Sequence, residues 1–225
     1  MADKKILLVE GPDDEHVLKH LCTERGWPRF ENIPLEVKQL TGVDRLLKDI
    51  PVQVKANGPG GIVGVVVDAD TDIAARWRSM RDRLIGAGYE DVPDNPAPEG
   101  TILPHIIDSQ AGKFLPRVGI WIMPDNRTEG ILEDFLRFLV PAGSPLFEHV
   151  TSSVAAIPEG ARLFGSLAEP KAVMHTWLAW QEKPGKSLGT AITARYLDPD
   201  VPQVDVLMSW LKRLFLPQSE QADDS

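Results

Sequence analysis

The sequence predicts an α/β fold with a mainly parallel sheet, and three observations lead there. Ile62-Val63-Gly64-Val65-Val66-Val67 and Val118-Gly119-Ile120-Trp121-Ile122-Met123 are unbroken apolar runs, as strands buried on both faces should be. Each is followed, after a turn, by residues with helical periodicity. Strands that alternate with helices in this way build parallel sheets with helices on both sides.

Taken in order, residues 4 to 9 (Lys-Lys-Ile-Leu-Leu-Val) form a short buried strand that Glu10-Gly11-Pro12 ends. Asp13 to Arg25 is a helix, with Val17, Leu18, Leu21 and Cys22 on one face and Pro12 tolerated at its first turn. Leu35 to Leu40 alternates like a second strand, and Gly42 to Ile50 gives a short helix. Asn57-Gly58-Pro59-Gly60-Gly61 turns the chain into the third strand, which stops at Asp68 and hands over to a helix from Asp72 to Ile85. Residues 86 to 117 are rich in Pro and Gly and are expected to be loop, with one strand near Thr101 to Leu103. The strand 118 to 123 follows, then an amphipathic helix from Glu129 to Val140. After Pro141 the strand signal fades, and Pro170 to Glu182, Ser187 to Tyr196 and Val204 to Phe215 are expected to be helical. The expected organisation is an α/β domain over residues 1–140, a helical C-terminal part packed on it over 141–217, and a polar tail over 218–225.

Composition narrows the function. The 225 residues are 43% hydrophobic with a net charge of -9, which excludes a disordered chain and a protein that coats nucleic acid by bulk charge. No run reaches the roughly 18 apolar residues of a membrane span, and the start is too short in apolar residues for a signal-peptide core. The single cysteine, Cys22, permits no internal disulfide, and a cytoplasmic location is expected.

The acidic residues fall in a pattern. In a parallel sheet, ligands bind beyond the carboxyl ends of the strands. Glu10 follows the first strand, Asp68 and Asp70 the third, and Asp125 the fourth, while Asp14 and Glu133 stand in the helices that begin nearby. Acids in a first helical turn stabilise the helix dipole by about 0.3–1 kcal/mol, which accounts for Asp13 or Glu129 taken singly. It does not account for Glu10 and Asp68, which end strands. A set of oxygen donors on one edge fits a hard divalent cation, Mg²⁺ or Mn²⁺.

Leu-Leu-Val-Glu10-Gly-Pro-Asp-Asp14 and the later Val-Asp68-Ala-Asp70 resemble the Toprim fold of primases, topoisomerases and overcoming-lysogenization-defect (OLD) nucleases. The likeness is to the OLD-type branch and to small stand-alone bacterial Toprim-like proteins, with Gly119-Ile-Trp-Ile-Met-Pro-Asp125-Asn126, Leu132-Glu133-Asp134 and Pro170-Lys171-Ala172 in place. It spans residues 4 to 195. The resemblance implies a Mg²⁺-dependent phosphodiester site on DNA or RNA, in nucleic-acid metabolism or phage defence. Glu10, Asp14, Asp68, Asp70, Asp125 and Glu133 would be its metal-facing residues. Glu10 would also act in catalysis, and Lys171 would face the scissile phosphate. No ATPase domain is recognisable here, so a partner ATPase chain is implied for any ATP-driven gating. Tyr89 and Tyr196 lie in no topoisomerase-type motif, and one cysteine cannot build a template-binding zinc site, so a hydrolase is expected over strand passage or priming.

Two alternatives stand beside the nuclease. One is a catalytically silent Toprim-like module that binds a partner ATPase; acids tied to Arg76 or Lys113 would favour it. The other is a haloacid-dehalogenase-like phosphatase using Asp68 and Asp70, although the expected Thr four residues after Asp68 is Asp72. Gly185-Lys186-Ser187 lacks the upstream glycine of a phosphate loop, since that place is Trp180. His16 and His20 have chelating spacing without a third ligand nearby. Arg76, Arg78, Arg81 and Arg83 are expected to be a solvated helix with internal ion pairs or a strip for a DNA backbone.

Overall fold

A computed structural model of the chain describes residues 4–27 and 35–216; the polar tail expected over 218–225 lies outside them. Five strands form one sheet: β1 (Lys5–Val9), β2 (Leu35–Gln39), β3 (Ile62–Asp68), β4 (Thr101–Leu103) and β7 (Arg117–Met123). Their order is β2-β1-β3-β7-β4. The first four in that order run parallel, and β4 pairs antiparallel to β7 at the edge. A separate hairpin joins β5 (Ile106–Asp108) to β6 (Lys113–Leu115).

Helices cover both faces. On one side α2 (Val43–Ala56) and α3 (Ile73–Ala87) pack over Val63, Val65, Val67, Ile120 and Ile122. On the other lie α1 (Pro12–Glu24), α4 (Leu132–Arg137), α5 (Pro145–Ala155), α6 (Glu169–Ala179), α7 (Leu188–Thr193) and α8 (Pro202–Phe215), over Leu7, Val9, Val66, Trp121 and Met123. Every apolar residue of β3 from Ile62 to Val67 is therefore buried, which is why that run is β-branched without alternation. Fully burying one such Val contributes about 1.5–3 kcal/mol.

Gly64 and Gly119 face each other in register on β3 and β7. A Cβ on Gly64 would stand 2.7 Å from Phe215 Cζ, and one on Gly119 would stand 2.4 Å from Leu214 Cδ2. The paired glycines form the depression into which the end of α8 settles. The amine of Lys5 on β1 also donates to the Phe215 carbonyl at 3.0 Å.

Four elements differ from the sequence-based expectation. The helix expected from Glu129 to Val140 is confined to α4, Leu132–Arg137. The helix expected to stop at Ile50 continues through Pro51 to Ala56. Leu46, Ile50 and Val54, four residues apart, are all fully buried, so packing outweighs the interior proline. Residues 86 to 117, expected to be loop with one strand, also contain the β5–β6 hairpin; Asp108 Oδ1 accepts from the amides of Gln110 and Ala111 at its turn. After Pro141 an unexpected helix, α5, starts at Ser144. Its hydroxyl accepts from Phe147 N at 3.3 Å, with Pro145 in the first turn. No helix of the described residues is long and apolar enough to cross a membrane.

Candidate metal centre

The parallel strands β1 and β3 end side by side, and their register sets Glu10 next to the end of β3. The backbone N–H of Asp68 donates to Glu10 Oε1 at 2.9 Å. Asp68 itself has one carboxylate oxygen, Oδ1, buried with no hydrogen-bond partner among the described residues. Burial pushes its carboxyl up to about 9, and the charges of Asp14, Glu10, Glu133 and Asp70 add to the rise. These five acids thus share one electrostatic neighbourhood.

Asp14 is buried in the first turn of α1, where Oδ2 accepts from Gly11 N at 2.9 Å and closes the helix start. Burial raises it to about 7, with Glu10 and Glu133 adding to the rise. Glu133 is buried near the start of α4. Burial raises its carboxyl too, while Lys171 and His175 pull it back down. Burial also raises Glu10, countered by the bond from Asp68 and the charges of Arg76 and Lys171. Lys171 is exposed on α6, and its charge bears on both glutamates.

Asp70 and Asp125 are placed differently. Asp70 has a left-handed backbone, φ 56°, and exchanges hydrogen bonds with Gly130 in both directions, at 2.9 and 2.8 Å. This bridge ties the turn after β3 to the turn after β7. The Asp70 carboxylate is paired with Arg76, whose Nε also donates to the Asp68 carbonyl at 2.8 Å. Asp125 closes its own turn: Oδ1 accepts from the amides of Arg127 and Thr128 and from the Thr128 hydroxyl, at 3.0, 2.8 and 2.9 Å.

Of the two cations named as possible partners of the acids, Arg76 is one: its place four residues after the Asp72 helix cap turns it back onto the strand end. One neighbour of the cluster is absent from the sequence reading. His175 stands four residues after Lys171, on the same helix face. That spacing was a legible signal.

The DUF3226 pattern, described as a protein of unknown function, matches residues 4–216. The chain belongs to the DUF3226 family. No curated protein matches it. Among solved structures it is similar to the C-terminal region of the OLD protein of Xanthomonas campestris pv. campestris, at 17% identity and a TM-score of 0.42, over 94% of this chain and 92% of that one.

The other motifs of this DUF3226 chain have structural partners. His16 and His20 meet edge to face with Nε2 atoms 3.0 Å apart, and each reaches a hydroxyl of the α7 region, Ser187 and Thr193. They bind α1 to α7 where Gly189 packs against the His16 backbone. Lys113 pairs with Glu90 and with none of the clustered acids. On α3, Arg76 pairs with Asp70, Arg81 with Asp94, and Arg83 bonds to Ser79. Arg78 has no ion pair among the described residues.

Proposed function

We propose that this protein is a divalent-metal-dependent phosphodiester hydrolase, a nuclease or nuclease subunit, with its centre at the carboxyl edge of the sheet. The observation that carries this is the buried, unpartnered Oδ1 of Asp68, surrounded by carboxylates that all make its ionisation harder. A fold that gathers like charges around a bare acceptor gains most from a cation there. The motif resemblance to Toprim proteins agrees.

The donor chemistry fits Mg²⁺ or Mn²⁺: all the groups are carboxylate oxygens, from Glu10, Asp14, Asp68, Asp70 and Glu133. Among the described residues, no three His, Cys, Asp or Glu groups stand close enough together to ligate one ion as placed. Mg²⁺ is commonly held by one or two carboxylates with several waters and the substrate's own phosphate, which suits this arrangement. Such an ion would supply Lewis-acid polarisation of the phosphoryl oxygens.

The chain's own groups have separable roles. Glu10 is fixed through Oε1, and its raised proton affinity suits it to take a proton from an attacking water. Lys171, exposed at the rim, offers a cation to a phosphoryl oxygen. Arg76 holds the turn at Asp68 and Asp70. The test is cleavage of DNA and RNA by the purified chain in Mn²⁺ at low salt, with and without a partner ATPase, together with Mn²⁺ binding by wild type and Asp68→Asn. Metal binding that ignores Asp68 defeats the proposal.

The second reading, a silent module for a partner ATPase, has one observation in its favour: Asp70 is tied to Arg76. Glu10, Asp14, Asp68 and Glu133 have no ion pair among the described residues, and this tips the balance to the hydrolase. A phosphatase using Asp68 as nucleophile is supported less, since its motif calls for a Thr four residues after that Asp and the chain has Asp72 there.

A further inference from the structure

A cleft of about 430 Å³ opens on the α3 side of the same sheet edge, lined by Ile73, Trp77, Arg78, Pro96, Asn126 and Arg127 among others. Its walls are fixed. Trp77 Nε1 donates to the Pro93 carbonyl at 3.2 Å, Arg81 pairs with Asp94 at 3.0 Å, and Ala97 N donates to Thr101 Oγ1 at 2.9 Å. Asn126 Oδ1 accepts from Ile122 N at 2.7 Å, which sets the opposite wall. Arg78 and Arg127 are exposed, and neither has an ion pair among the described residues. The cleft's one acid, Asp94, is paired with Arg81.

Two guanidinium groups without ion partners among the described residues thus stand over a preformed apolar floor. The placement gives them a use. Lys171 lies on the α6 side of the clustered carboxylates, and Arg78 and Arg127 lie on the α3 side. An extended anion crossing the sheet edge would meet cations at both ends and acids in the middle. Guanidinium groups bind phosphate through their fork of donors, and Ile73, Pro96 and Pro98 offer apolar contact to a sugar or base.

We propose that this cleft is a nucleotide subsite in which Arg78 and Arg127 hold a backbone phosphate of a polynucleotide next to the reacting one. This rests on the phosphodiester reading above and names where the rest of the strand lies. The probe is a fluorescein-labelled oligothymidylate about a dozen nucleotides long, its anisotropy followed against salt with and without Mn²⁺. Arg78→Gln with Arg127→Gln should weaken binding about tenfold or more and lower the salt slope by about 1.4, the value for two phosphates on a single strand. Arg45→Gln, an exposed arginine on α2, serves as the charge control. Equal losses in the double variant and the control would overturn the subsite, as would wild type that binds no oligonucleotide in either condition. Competition by free thymidine monophosphate at the same concentration as the oligomer would overturn the polynucleotide assignment. Asp68→Asn separates the two proposals: oligonucleotide binding that needs Arg78 and Arg127, with no Mn²⁺ dependence on Asp68, keeps the subsite and ends the metal-centre reading.

Discussion

Glu10 and Asp68 stand 58 positions apart in the chain and are joined by one hydrogen bond, from the Asp68 backbone N–H to Glu10 Oε1. The bond orients one carboxylate by the backbone of another. It uses the amide that emerges where β3 ends, so the acceptor is held without help from a second side chain. A glutamine can accept the same bond, which makes Glu10→Gln a clean removal of charge.

Glu10→Gln should therefore keep the fold and abolish Mn²⁺-dependent cleavage. Lys171→Ala should slow cleavage while leaving Mn²⁺ affinity nearly unchanged, because its partner is the phosphate. Wild-type turnover in Glu10→Gln, after contaminating nuclease is excluded, contradicts the proposed mechanism.

Mn²⁺ should raise the melting temperature of wild type far more than that of Asp68→Asn. At about 100 times its dissociation constant, a ligand of the folded state adds about 2.7 kcal/mol, or about 5–10 °C in a chain of this length. Equal shifts in both proteins would remove Asp68 from the ligand set.

The metal-free protein should lose stability as pH rises. Unfolded aspartates titrate near 3.9, whereas folded Asp14 and Asp68 titrate at about 7 and about 9. Between these limits the folded chain holds more protons than the unfolded chain, so the slope of stability against pH is negative. The contribution is present in full below about pH 4 and gone above about pH 9. Asp68→Asn should flatten this slope and raise the metal-free melting temperature at pH 8. Mn²⁺ binding should release protons, seen in calorimetry as a heat that depends on the buffer. Metal-free stability that rises between pH 5 and pH 8 would refute this account.

Gly119→Ala should destabilise the fold by about 1–3 kcal/mol through overpacking, since the new methyl meets Leu214 at 2.4 Å. Adding Leu214→Ala should recover part of the loss. Additive losses in a double-mutant cycle would show that the two positions do not compete for space.

The sheet was legible because its central strands are buried on both faces: Ile62 to Val67 is an unbroken apolar, β-branched run, and Glu10 and Asp68 mark where two strands stop. The clustering of Asp14 and Glu133 with them was less so, since an acid in a first helical turn looks the same whether it caps the helix or serves a site, and Asp14 does cap α1. Asp125 shows the limit more sharply. It ends a strand as Asp68 does, yet its Oδ1 is used by its own turn, and only the local backbone path decides that. The continuation of α2 past Pro51 was hidden for a similar reason. A proline argues locally for a stop, and the burial of Val54 that outweighs it depends on a distant strand.

The glycine depression on β3 and β7 has a consequence for how the chain is made. Its occupants, Leu214 and Phe215, lie beyond every other described element, while the sheet they cover begins at Lys5. During synthesis from the N-terminus, the sheet face over Gly64 and Gly119 stays bare until α8 has left the ribosome. The carboxylate edge is thus assembled on a scaffold that closes last, through a contact spanning 210 residues. Such long-range closure slows folding and prolongs exposure of apolar surface. Truncation before Pro202 should accordingly give an aggregating chain and not a smaller working domain.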